Sequence, residues 1–372
     1  MPDALSIAVL GGGHAAFAHA ADLSLKGFAV RLCELPALAD VLAPVQARGG
    51  IESVPDETTG LPAGFQPLDL ITDDPAAALS GAEIIFLVVP AFAQPAFAEL
   101  IAPHVTPEQI LVLSPGNFGG AYVFAELLKA HGCPALPHLA EAQSMIYACR
   151  KGGPTQIRIF GFKHGLRVAV YPATETERVV GKIQQVFPEV VAAPNILWTW
   201  LSNPNAIIHP PVTILNAGRL ENTQGDFLFY VEGLTPAVQH IVDALDKERM
   251  ALGAALGLTL MPKPEMAHAW YGHQGYEGAS YPDKARNPVY HAIKADASLN
   301  SRYLTEDVPY GLTPWEDLAR LVQMEMPICT SLINLANGLL QTDFRASGQT
   351  LACIGLGDVS VAELLRIVEE GA

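Results

Sequence analysis

Apolar residues along this chain come in two textures. In residues 1–194 they form short unbroken runs, Ile7-Ala-Val-Leu10, Ile84-Ile-Phe-Leu-Val-Val89 and Ile110-Leu-Val-Leu113. Runs of this length bounded by turn residues predict strands buried on both faces of a parallel sheet. Phe28 to Glu34 predicts the second strand in chain order. Residues 15–26 carry Ala, Phe and Leu at helical spacing up to Gly27, and further helices are expected at Phe92 to Ala102 and Ala121 to Ala130. Gly49 to Pro67 is turn-rich, with a short strand expected at Gly50 to Val54. Thr155 to Phe160 and Leu166 to Tyr171 alternate around Lys163-His-Gly165, which predicts a hairpin with His164 exposed in its turn.

From residue 195 the texture changes to helices punctuated by prolines. Leu234 to Gly257 is the clearest, with Thr235 as cap, Pro236 in its first turn and Val238, Ile241, Val242 and Leu245 on one face. Others are expected from Thr313-Pro314, over Pro327 to Leu340, and after a capping box at Ser360-Val-Ala-Glu363.

The first strand runs into Gly11-Gly-Gly-His-Ala-Ala16, whose Gly11, Gly13 and Ala16 fall on G-x-G-x-x-A spacing. That spacing gives a tight turn, a close backbone approach to a pyrophosphate and close helix–strand packing. Gly11, Gly12, Gly13, His14, Ala15 and Ala16 are therefore candidate cofactor contacts. Glu34 lies 21 residues after Gly13, where a carboxylate accepts from adenosine ribose hydroxyls; the alternative is a strand-end carboxylate facing water. Leu35-Pro-Ala-Leu-Ala39 lacks an arginine for a 2′-phosphate, which favours NAD(H) over NADP(H). Val89 and Pro90, and Pro115, Gly116 and Asn117 of a second glycine turn, end further strands and join the cofactor list. The fold class is α/β: a Rossmann-type, doubly wound, mainly parallel sheet in residues 1–194, then an all-α domain in 195–372, with a cleft expected between them.

Composition narrows the partners. The 372 residues carry a net charge of −16 without a basic run, which argues against nucleic acid and anionic membrane. No apolar run reaches transmembrane length and no basic leader precedes one, so a cytoplasmic protein is expected. The five cysteines are widely spaced without a C-x-x-C pair, as reduced packed thiols would be.

Candidate chemistry concentrates in the helical half. In Asn203-Pro-Asn-Ala-Ile-Ile-His-Pro-Pro-Val212, Pro210 and Pro211 predict that His209 sits at a helix N-terminus, where the dipole favours neutral imidazole. In Ser301-Arg-Tyr-Leu-Thr-Glu-Asp-Val-Pro-Tyr-Gly311, Arg302 precedes Asp307 by five residues in a segment that does not read as a regular helix. The plain alternatives are a hydrogen-bonded core histidine and a solvated loop. Trp270, in the aromatic stretch Met266 to Tyr276, is either a pocket residue or helix packing. His268 and His273 lack the carboxylate partners and spacing of a metal site, so no metal is expected.

The glycine turn, Asn203-Pro-Asn…His209-Pro, Asn216-Ala-Gly218 and Arg302-Tyr-Leu-Thr-Glu-Asp307 together resemble the octopine/nopaline dehydrogenase (opine dehydrogenase) family, over nearly the whole chain. The resemblance implies reductive condensation of an amino acid amine with a 2-oxo acid such as pyruvate, through an imine reduced by a nicotinamide cofactor. It implies that His209 and Asp307 are the catalytic pair and that Arg302 grips the oxo-acid carboxylate, directing the imine carbon toward nicotinamide C4. Asn203 or Asn205 would orient the substrate or the histidine. Extra acidic residues marking a pocket for a cationic amino acid are absent, and the apolar helical domain leaves room for a homodimer. The rival readings are a ketopantoate reductase-like or 3-hydroxyacid dehydrogenase, which use a lysine that has no counterpart in Asn203–His209, and a non-catalytic NADH sensor.

Overall fold

The computed structural model describes residues 5–57, 59–276 and 289–371. Its contacts divide the chain into two compact units: residues up to Gly116 with Gly120–Ile196 and Gly371, and residues 117–119 with Leu197–Glu370.

The first unit holds twelve strands among its described residues: β1 Ser6–Leu10, β2 Ala29–Cys33, β3 Gly50–Val54, β4 Gly64–Pro67, β5 Leu70–Thr72, β6 Ile84–Leu87, β7 Ile110–Leu113, β8 His138–Ala142, β9 Tyr147–Gly153, β10 Gln156–Phe162, β11 Arg167–Tyr171 and β12 Val191–Ala192. Eight make the main sheet in the order β12-β11-β8-β7-β6-β1-β2-β5, in which the β8–β11 pair alone is antiparallel. The buried apolar runs of β1, β6 and β7 sit at its centre. Their register aligns Leu10 with Cys33 and Leu87, and Leu87 with Leu113. The loops opening at Gly11, Glu34, Val88 and Ser114 therefore leave one sheet edge, at the reversal of strand order where open α/β sheets bind ligands.

A second sheet, β4-β3-β10-β9, lies on the other side of α1 (His14–Leu25). Layered between two sheets, α1 is buried from Ala15 to Leu23, which explains its run of alanines. Its buried polar groups are paired. His19 Nδ1 bonds the Ala15 carbonyl at 2.8 Å, and Asp22 accepts from Tyr147 O–H at 2.6 Å and pairs with Lys26 at 2.8 Å. Burial pulls the His19 imidazole down to about 4.

The expected hairpin around Lys163-His-Gly165 does not form. β10 pairs antiparallel with β9, across the turn at Pro154, while β11 joins the main sheet beside β8. Burial explains the separation: β10 alternates inward and outward, as a one-sided strand must, whereas Val168, Ala169 and Val170 of β11 are all buried. His164 stands in a turn but is half-buried, edge-on to Phe162. The helices expected after β6 and β7 are α2 (Gln94–Ile101) and α3 (Gly120–Ala130).

The second unit contains α4 (Pro204–Leu215), α5 (Pro236–Ala255), α6 (Lys263–Tyr271), α7 (Arg302–Thr305), α8 (Thr313–Leu321), α9 (Pro327–Leu340) and α10 (Val361–Glu370). Thr235 caps α5 through the Val238 N–H, and the Ser360/Glu363 box closes reciprocally at the start of α10. Arg249 of α5 is wholly buried, held by Asp246 and by the carbonyls of Leu201 and Met261. None of the five cysteines forms a disulfide, and no helix of the described residues is long and apolar enough to cross a membrane.

Candidate active site

Two groups of residues carry chemistry, one in each unit. In the first, Gly11 has φ +120° and its N–H bonds the Cys33 carbonyl at 2.8 Å. A Cβ there would lie 2.7 Å from the Val88 carbonyl oxygen, so this position demands glycine. Gly13 is the N-cap of α1, no side chain among the described residues caps the helix, and a Cβ on Gly13 would meet nothing within 4 Å. First-turn N–H groups beside open space fit the pyrophosphate of a dinucleotide. Ala15 and Ala16 are buried where α1 meets β1.

Glu34 follows β2 directly and is 6% exposed. Its carboxylate accepts from the N–H of Leu35 at 2.8 Å and from that of Gly12. Burial raises its pKa, partly opposed by those N–H bonds and by the ammonium of Lys151. Lys151, on β9, donates to the Gly12 carbonyl at 2.6 Å, while its own N–H donates to His14 Nδ1 at 2.8 Å. Neither contact is legible from sequence, because each joins residues more than 130 positions apart.

The second glycine turn is shared between the units. Gly116 donates to the Ala142 carbonyl at 3.1 Å, and Pro115 accepts from Gln94 at 3.3 Å. Buried Glu141 accepts from the Ala121 N–H at 2.6 Å at the start of α3. Its carboxyl oxygen fills the space a Cβ on Gly120 would take. Asn117, at φ +57°, belongs to the second unit, where Asn203 donates to its Oδ1 at 2.7 Å and it donates to Glu306 at 3.4 Å. Val89 is buried and Pro90 half-buried after β6.

His209 is the centre of the second group. It stands inside α4 and not at its start: Asn203 caps the helix by accepting from the Asn205 N–H at 3.0 Å, and Pro204 takes the first helical position. Pro210 and Pro211 lie within the helix, stripping donors that would otherwise bond the previous turn, and burial of residues 206–214 holds it together. The dipole argument for His209 therefore falls away, and side chains set its state. Its Nδ1 is 2.7 Å from Asp307 Oδ2 and its Nε2 3.0 Å from the Tyr230 hydroxyl. With the proton on Nδ1 donated to Asp307, Nε2 accepts from Tyr230 O–H. Tyr303 stacks on the imidazole with centroids 3.9 Å apart, and Phe229 meets it edge-on. His209 is 6% exposed.

The Arg302–Gly311 segment is helical, although irregular: the single turn α7 is followed by a π-helical turn, Val308–Leu312. The wide turn sets Asp307 against His209, and Gly311 lets it press onto α4, since a Cβ there would come 2.6 Å from that of Ala206. Arg302 projects a side chain that is 44% exposed, with Glu306 at 3.8 Å. Tyr303 and Glu306 lie inside the motif the sequence singled out, but Tyr230 sits in Phe227-Leu-Phe-Tyr-Val231, which carries no signal beyond apolarity. Asn205 is half-buried, and Trp270 is 2% exposed, a core position in α6. Among the described residues no group of His, Cys, Asp or Glu is placed to hold a metal ion.

An α/β unit with a dinucleotide turn, followed in the chain by a helical unit with a buried histidine–carboxylate pair, marks a two-domain dehydrogenase. Residues 192–340 match the family model for the alpha-helical domain of NAD/NADP octopine/nopaline dehydrogenase. The chain is 35% identical over 369 residues to an opine dehydrogenase of Arthrobacter sp. (strain 1C), covering 99% of this chain and 100% of that one. It is 28% identical over 378 residues to the vitopine synthase of Allorhizobium ampelinum, covering 98% of each. A solved octopine dehydrogenase with NADH and L-arginine shares the fold at TM-score 0.78 and 20% identity, with 98% of each chain covered. The chain belongs to the opine dehydrogenase family: it is an oxidoreductase acting on CH–NH groups with a nicotinamide dinucleotide.

Proposed function

We propose that this enzyme condenses the amine of an amino acid with a pyruvate-like 2-oxo acid, using His209 and Asp307 for the proton transfers and NAD(H) as redox partner. The observation that carries the reading is the 2.7 Å bond between His209 and Asp307, side chains 98 residues apart that are both buried.

An α-ammonium must lose a proton before it attacks the oxo carbon. His209 takes that proton at Nε2, which exchanges its bond to Tyr230 for one to the substrate, while Asp307 stabilises the imidazolium across Nδ1. The zwitterionic adduct shifts a proton from nitrogen to oxygen to become the carbinolamine. The Nε2 proton then goes to the carbinolamine hydroxyl, which leaves as water and gives the protonated imine, the iminium that hydride reduces to the secondary amine. General acid–base steps of this kind contribute typically about 10²–10⁴-fold. Arg302 grips the oxo-acid carboxylate in a bidentate pair that fixes the carbonyl carbon. Asn203 is a positioning residue, tying the start of α4 to Asn117. Bound reduced dinucleotide supplies the hydride that reduces the imine, which no side chain can do. Gly11–Ala16 and Glu34 hold it, Glu34 accepting from the ribose hydroxyls. That role and the lack of arginine in Leu35–Ala39 favour NAD(H). Five cysteines without a disulfide suit a reducing cytoplasm.

The test is NADH oxidation against a panel of amino acids with pyruvate, with the product identified by mass. Oxidation requiring both substrates is expected. Full-rate oxidation with the oxo acid alone would make the enzyme a hydroxyacid dehydrogenase and end this reading.

A further inference from the structure

The glycine turn is bracketed by opposite charges. Gly12 donates its N–H to the Glu34 carboxylate and accepts at its carbonyl from the Lys151 ammonium at 2.6 Å. Lys151 reaches this point from the second sheet, over the ring of Phe17, whose centroid is 3.3 Å from Nζ. It is half-buried, and its backbone is tied to the first residue of α1 by the 2.8 Å bond to His14. A carboxylate and an ammonium thus share one backbone residue, where the adenosine ribose is expected. A carboxylate alone there accepts from a 2′-hydroxyl and repels a 2′-phosphate. The ammonium beside it works the other way.

We propose that Lys151 is the second half of the ribose selector: Glu34 holds the 2′-hydroxyl of NAD(H), and Lys151 is the counter-charge that admits a 2′-phosphate. This rests on the reading of Glu34 as the ribose residue. Lys151 supplies from β9 the cation that the sequence after Glu34 lacks. Cofactor preference is then a balance of two side chains 117 residues apart, and weakening Glu34 tips it toward NADPH.

Two isomers separate the roles: 2′,5′-ADP carries the 2′-phosphate without a pyrophosphate, and 5′-ADP the reverse. Affinities are read by quenching of protein fluorescence in wild type, K151Q, E34Q and the double variant. K151Q is expected to weaken 2′,5′-ADP and NADPH about tenfold, the size of one lost charge-assisted bond, and to leave 5′-ADP and NADH within about twofold. E34Q is expected to strengthen NADPH, and the double variant to lose that gain. Equal losses of both isomers in K151Q would make Lys151 a pyrophosphate contact or a strut of the turn, and would overturn the proposal; so would no loss of either. If E34Q leaves the NADH to NADPH ratio unchanged while K151Q still discriminates the isomers, the ribose role of Glu34 fails and the Lys151 site stands. Should K151Q not fold, acetylation of Lys151 in the wild type gives the same answer: protection by 2′,5′-ADP and not by 5′-ADP is expected, and equal protection refutes it.

Discussion

At the turn between β1 and α1, most of what a ligand meets is main chain: N–H groups at the start of a helix, exposed by residues that lack side chains. Around His209 every working group is a side chain, drawn from α4, from Tyr230 and from the Arg302–Gly311 segment. The first arrangement is robust to chemistry and sensitive to shape, because a Cβ in the wrong place closes it. The second is robust to small changes of shape at its edges and sensitive to the loss of one proton-carrying group. The difference teaches where each tolerates substitution.

The widest gap between them should appear on truncating the side chains of the second. His209→Ala is expected to lower kcat about 10²–10⁴-fold. Asp307→Asn should fall in the same range, since an amide neither stabilises the imidazolium nor enforces the Nδ1 tautomer. NADH affinity, measured by fluorescence titration, should stay unchanged in both. A variant that lost NADH binding along with turnover would erase the contrast, because the histidine would then be serving the cofactor.

The turn has its own weakness in the helix behind it. Burial holds His19 neutral, with a pKa of about 4 in the fold against 6.5 when exposed. Between those values the unfolded chain binds the proton and the folded chain does not. This contribution to stability is therefore complete above pH 6.5, falls as the pH drops, and levels off near pH 4. Its full size is about 3 kcal/mol. Urea titrations across this range should show the loss, and His19→Leu should flatten it; an unchanged slope would mean that the imidazole is not the group responsible.

Two glycines then test shape against chemistry directly. Gly11→Ala forces a Cβ to 2.7 Å from the Val88 oxygen at φ +120°, and should cost about 1–3 kcal/mol of stability. Gly13→Ala points its methyl into open space. It should leave Tm alone while weakening NADH about tenfold, by standing where the pyrophosphate approaches. If Gly13→Ala bound NADH normally, the cofactor would have to approach the turn from elsewhere.

How far each region could be read from sequence follows from how it is built. The turn is local: Gly11, Gly13, Ala16 and the following strand end at Glu34 fall within one βαβ unit, so spacing alone exposes it. Two strands of the small second sheet, β4 and β9, carry no run or alternation that stands out, and the alternation of β10 points to β11 as its neighbour instead of β9. Lys151 was lost with them. In the helical unit, the prolines around His209 and the charged Arg302–Asp307 segment mark both stretches as candidates, but only the resemblance to a family pattern joins them and gives them roles; spacing cannot join residues 98 apart. The proline pair misplaced His209 at a helix start because an interior Pro-Pro is costly in isolation, by about 3 kcal/mol or more for each proline. Packing of an all-buried segment outweighs that cost here, and no local rule sees packing. Tyr230 was invisible for the same reason.

Tyr230 gives the smallest effect and the finest test of the side-chain site. Its hydroxyl caps His209 Nε2 at 3.0 Å, the nitrogen proposed to take the proton of the substrate amine. If Tyr230 simply occupies that nitrogen until substrate arrives, Tyr230→Phe removes one competing neutral hydrogen bond, worth about 1 kcal/mol. KM for the amino acid should then fall by up to about fivefold, with kcat nearly unchanged. If Tyr230 instead passes the proton onward during dehydration of the carbinolamine, kcat must drop and KM stay. Steady-state kinetics of this one variant, with pyruvate saturating, separates a side chain that guards the base from one that works with it. The guarding role is expected, because the stack of Tyr303 and the bond to Asp307 already fix the imidazole without help from Tyr230.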